Sequence, residues 1–147
     1  MKLNKKGFTI VELVIVIAVI AILAAVLIPT FNSVINKANE SAALQEARAA
    51  ETVLIAKLKG NLDTAYYFVS GDGKYVHKYT KDEGLKLDGT AVYTAGTPAK
   101  LKIDGVEYTV GGAAVDNKTL KQVEFDDDDE KKDIGKVTVY YLETKTA

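Results

Sequence analysis

From Phe8 to Ile28 every residue is apolar except Thr9 and Glu12, and Leu13–Ile28 is apolar without a break. About 20 residues at about 1.5 Å each cross the hydrocarbon core of a bilayer, so this segment is long enough to span one. Pro29 closes the run. The chain beyond it does not relax into a linker, because Thr30–Lys59 is alanine-rich, lacks Gly and Pro, and consists mostly of good helix formers. Phe31, Ile35, Ala38, Ala42, Ala49, Val53 and Ala56 fall on one helical stripe. Leu44, Ala47, Leu54 and Leu58 form a second, rotated stripe. Gly60-Asn61 supplies the stop. The pattern predicts one helix over Phe8–Lys59, roughly 80 Å long at about 1.5 Å per residue, greasy all round in front and amphipathic behind. Pro29 cannot donate to the carbonyl of Ala25, which marks a bend or weak point there.

After Asn61 the period changes from 3.6 to 2. Tyr66–Val69 and Tyr75–Tyr79 flank Ser70-Gly71-Asp72-Gly73, the pattern of a hairpin with aromatic, β-prone arms. Leu101, Ile103, Val106, Tyr108 and Val110 alternate around Asp104-Gly105, the best type I′ turn in the chain. Ala91–Ala95 is placed to pair nearby, Lys136–Leu142 reads as a final strand, and Leu120–Phe125 is short and ambiguous. The expected fold is α+β: a long N-terminal helix, hydrophobic then amphipathic, packed on a small antiparallel sheet. The divisions are a leader at 1–7, a hydrophobic helix at 8–29, and a globular domain at 30–147, with helix 30–59 and sheet 62–147.

Composition narrows the picture. The 147 residues carry 19 basic and 20 acidic side chains, but Lys2, Lys5 and Lys6 crowd the front. That basic n-region orients the N-terminus to the cytoplasm by the positive-inside rule. The remainder is mildly acidic and carries no nucleic-acid footprint. Cysteine is absent, which removes disulfide and thiol chemistry.

Two plain readings of the run are a secretory signal cut near Val19-Ile20-Ala21 and a single-pass anchor. Glu12 argues against both. A carboxylate near the middle of a membrane helix costs roughly 2.5–3.5 kcal/mol on insertion scales, and nearer its end it still weakens insertion. An anchor would do better with Leu there.

Lys5-Lys6-Gly7 followed by Phe8-Thr9-Ile10-Val11-Glu12-Leu13 resembles the processing signal of type IV pilins and pseudopilins. The resemblance implies that a prepilin peptidase, which is also the N-methyltransferase, cuts between Gly7 and Phe8 on the cytoplasmic side and methylates Phe8. It assigns Glu12 to subunit assembly. Pro29 matches the proline near which family helices lose order in filaments. It implies a pilin-like fold and a homo-oligomeric helical filament with minor pilins as further partners. The subunit would sit in the cytoplasmic membrane before assembly, with its machinery, and at the cell surface afterwards. The disulfide loop of many Gram-negative pilins cannot form here, so the sheet must close differently, as in cysteine-poor Gram-positive relatives.

No catalytic constellation can be nominated, and neither a cofactor nor a metal is expected. His77, the one histidine, lies within a strand pattern and reads as a solvated or half-buried filler. Asp126-Asp127-Asp128-Asp129-Glu130 is the one place that could draw a hard cation. Calcium loops space their ligands with intervening residues and a glycine, however, and Lys131-Lys132 follow directly, so the run reads as a solvated loop. Two functions stand: a filament subunit of a pilus or of a secretion or competence pseudopilus, and a membrane-anchored extracytoplasmic binding module that does not polymerise.

Overall fold

The computed structural model describes residues 7–125, 128, 131 and 134–146. Helix α1 runs unbroken over Ile10–Lys57 with Pro29 inside it, two residues shorter at each end than the pattern predicts. The chain forms two compact units, Met1–Asn39 and Glu40–Ala147. In the first, every described side chain is exposed except the half-buried Ala24. None of the described residues covers that greasy surface.

In the second unit, α1 buries Ala43, Ala47, Ala50 and Leu54, a stripe at spacings of four, three and four. The second of the two stripes seen in the sequence is therefore the core stripe, through Ala47 and Leu54. Ala42, Ala49 and Ala56 of the first stripe are exposed, and of that stripe only Val53 packs at the core's edge. The reason is steric. Alanines on the buried stripe let the helix approach the sheet closely, and Leu54 fills the remaining space.

The helix ends in a Schellman motif. Lys59 N–H donates to the Ala56 carbonyl at 3.2 Å and Gly60 N–H to the Ile55 carbonyl at 2.9 Å. The left-handed residue that the motif requires is Lys59, at φ 53°.

Eight strands follow: β1 (Tyr66–Val69), β2 (Val76–Thr80), β3 (Gly84–Leu87), β4 (Val92–Thr94), β5 (Lys100–Ile103), β6 (Val106–Thr109), β7 (Lys118–Gln122) and β8 (Thr138–Thr144). They make two sheets where the sequence pattern predicts one, a five-stranded sheet ordered β3-β2-β1-β8-β7 and a three-stranded sheet ordered β4-β5-β6. All named pairings are antiparallel. The β1–β2 hairpin pairs as its alternation predicts, with Phe68 opposite His77. At the β5–β6 turn Asp104 and Gly105 both have positive φ, 49° and 83°, as a type I′ turn demands. Strand β3 carries too short a Leu-Lys-Leu alternation to be read from sequence. The ambiguous Leu120–Phe125 segment is strand only through Gln122, and it begins earlier, at Lys118.

The five-stranded sheet is the middle of three layers. Tyr66, Phe68 and Val139 share a core with Ala47, Ala50 and Leu54 of the helix. Tyr67, Val69 and Tyr140, their neighbours in the chain, share another with Leu101, Ile103 and Tyr108 of the small sheet. Every residue of β1 is therefore buried, which explains its uniformly apolar sequence. Strand β8 lies between β1 and β7, so the C-terminal strand is laced on both sides by main-chain hydrogen bonds. That lacing closes the fold without a disulfide.

Candidate functional site

The start of α1 holds the residues that the sequence singles out. Thr9 is the N-cap, and Glu12 stands three residues on. Glu12 N–H donates to Thr9 Oγ1 at 3.2 Å, while Thr9 N–H and Thr9 Oγ1–H donate to Glu12 Oε2 at 2.8 and 2.9 Å. This is a capping box, in which side chains satisfy amide groups that the first helical turn leaves without partners. Thr9 is the member that sequence reasoning passed over. Its signal was present in Thr-x-x-Glu ahead of an apolar run. The box also gives the carboxylate a local role besides any intermolecular one.

Gly7 and Phe8 precede the cap, and Phe8 is 94% exposed. A Cβ built on Gly7 would meet no atom within 4 Å. The chain itself therefore tolerates any side chain there, and a requirement for glycine would come from outside it. Farther along, Pro29 leaves the Ala25 carbonyl without its helical donor, and the Thr30 hydroxyl donates to the Val26 carbonyl at 2.9 Å. The lysines of the leader lie outside the described residues. So does the acidic run 126–130, apart from Asp128, which is exposed. Among the described residues no three His, Cys, Asp or Glu side chains gather as a metal site.

His77 differs from its sequence reading. It is 1% exposed, on the helix-facing side of β2, and Nδ1 has no hydrogen-bond partner among the described residues. Burial holds its imidazole below the ordinary value of 6.5, opposed by the negative charge of Glu40. It shares its face with its register partner Phe68 of β1, which is 0% exposed, while its partner on β3, Leu87, is 43% exposed.

A cleft of about 490 Å³ opens between the two sheets, with Tyr67, Lys78, Asp104, Tyr108, Asp116 and Lys118 in its lining. Its two lysines face two aspartates, so it favours neither sign of ligand charge. Burial, with Asp104, Asp88 and Tyr108 nearby, pushes the Tyr67 phenol up to about 12. A buried neutral phenol of this kind is a packing element.

The exposed first part of α1 is long and apolar enough to cross a membrane, its start is capped, and an α+β unit follows it. Residues 2–28 match the prokaryotic N-terminal methylation motif. Type IV major fimbrial protein FimA of Dichelobacter nodosus is 35% identical over 129 residues, covering 84% of this chain and 78% of its own. Type IV wide pilus major component PilA4 of Thermus thermophilus is 60% identical over 38 residues, covering 26% of this chain and 29% of its own. Fimbrial protein Q of Moraxella bovis is 43% identical over 54 residues, covering 37% and 34%. No solved structure matches. The chain belongs to the type IV pilin family.

Proposed function

We propose that the protein is a structural subunit of a type IV pilus, made as a precursor, cut after Gly7 and polymerised through α1. The observation that carries this reading is the apolar surface of the first unit, which is exposed among the described residues. Before assembly a bilayer covers it; in a filament, the helices of neighbouring subunits do. Residues 1–7 are the leader, 8–29 the part that sits in the membrane and then in the filament core, and 30–147 the domain outside, with the N-terminus on the cytoplasmic side.

Glu12 then has two tasks. An ionised carboxylate has about four acceptor sites, and Thr9 engages two. The rest can take the amine exposed on Phe8 of an adjoining subunit after cleavage. Where water is scarce each charge is costly unless paired, so docking at the one stagger that joins them is favoured. Sheared surface material tests the assignment. Intact mass is expected to begin at a methylated Phe8, and Gly7→Val is expected to leave the leader attached. Wild-type protein beginning at Met1 or after Ala21 would overturn the reading in favour of an anchored module or a secreted protein.

A further inference from the structure

His77 is a buried imidazole that filament assembly does not explain, and it sits where the helix meets the sheet. On its face of the five-stranded sheet it is flanked by Phe68 of β1 and Leu87 of β3. From α1 the charged group acting on it is Glu40. The other titratable side chains on this face are the phenols Tyr66 of β1, Tyr79 of β2 and Tyr141 of β8, and, farther across the sheet, the ion pair of Lys121 on β7 with Glu143 on β8. Among the described residues no group hydrogen-bonds Nδ1. A neutral imidazole fits such surroundings, and an imidazolium does not, because its new N–H would be buried without an acceptor.

We propose that His77 makes the docking of α1 from Glu40 onward against the five-stranded sheet acid-labile, so that protonating this one side chain loosens the helix from the sheet. Glu40 opposes the effect by attracting the imidazolium, but it is exposed and screened, whereas the loss of solvation is complete. The sign follows from linkage. The folded-state value lies below the unfolded value of about 6.5, so the unfolded chain takes up the proton first. Full stability is present above about pH 6.5 and is lost as the pH falls through the unfolded and then the folded value.

The chain contains a single histidine, so its ring-proton resonances are unambiguous. In full-length protein in detergent micelles, NMR titration is expected to place the imidazole below the ordinary histidine range. Amide protection, corrected for the pH dependence of the intrinsic exchange rate, is expected to fall at pH 5.0 relative to pH 7.5 over β2 and the second half of α1, with protection of the β5–β6 hairpin unchanged. The melting temperature should drop by several degrees over the same interval. His77→Phe and His77→Gln, neither of which titrates, should lose that drop while differing from each other in absolute stability. An imidazole titrating at or above the ordinary value overturns the proposal. So does an acid-induced loss of equal size in the wild type and whichever variant folds.

Discussion

At the residue scale, variants of Thr9 and Glu12 can tell helix capping from the assembly role proposed for Glu12. Losing a cap costs roughly 0.5–2 kcal/mol of helix stability, and either Thr9→Ala or Glu12→Ala breaks the box. If capping were the whole purpose, the two variants would behave alike. We expect Thr9→Ala to assemble filaments with modestly reduced yield and Glu12→Ala to be inserted and cut but not polymerised. Electron microscopy, shearing yields and immunoblots of the membrane fraction read the difference, and equal filament yields would reduce Glu12 to a cap. The other end of α1 offers a stabilising change. Lys59 sits at φ 53°, where a side chain costs roughly 1–2 kcal/mol and glycine does not. Lys59→Gly is expected to stabilise the domain by about 1 kcal/mol after the backbone entropy of glycine is deducted, measured by urea unfolding.

At the scale of elements, the two apolar stripes of α1 divide the work. Leu54 is 0% exposed beneath the sheet, so Leu54→Ala should cost about 2–5 kcal/mol through lost transfer energy and the cavity left behind. Ala49, one turn away on the other stripe, is exposed, and Ala49→Leu should change domain stability by no more than about 0.5 kcal/mol. Thermal unfolding of both variants decides whether the stripe assignment is right. If Ala49→Leu also disrupts filaments while leaving the domain intact, the exposed stripe belongs to subunit contacts. The β1–β2 hairpin shows a different kind of local closure. Ser70 Oγ–H donates to Asp72 Oδ1 at 2.6 Å, and Lys74 N–H donates to the same oxygen at 3.1 Å. Gly73, at φ 73°, brings its backbone against Tyr93, where a Cβ would lie 2.8 Å from the ring.

For the whole molecule, the compact unit Glu40–Ala147 contains both hydrophobic cores and the stripe Ala43–Leu54 that closes one of them. Residues 1–39 contribute no buried side chain among those described. Deleting residues 1–29, or the whole of 1–39, should therefore leave a soluble domain that unfolds cooperatively. Calorimetry of the two fragments should give closely similar melting temperatures. A molten or aggregated 40–147 fragment would mean that the exposed part of the helix contributes to the fold.

Much of this protein is legible without its structure, wherever the cause is local. An apolar run of membrane length, the Lys-Lys-Gly-Phe junction, the two hairpin turns and the helix stop depend on residues close together in the chain. Asp104-Gly105 shows the limit of that locality: it implies a turn, but not which sheet the turn belongs to. The face of α1 that meets the sheet was not legible, because alanine populates both stripes and only the opposing surface selects one. The burial of His77 depends on Phe68 and Leu87 arriving from other strands, and the central place of β8 depends on pairing with β1, more than sixty residues earlier. Thr9 and Glu12 lie between these cases, since their spacing encodes the box and only the folded first turn brings the three hydrogen bonds together. Sequence alone determined the membrane-length helix and the α+β class, through short-range periodicity and spacing, and carried the N-terminal methylation motif in residues close together in the chain. Tertiary structure decided the layer order, the core stripe and the burial of the imidazole, because burial is set by what packs from the other side.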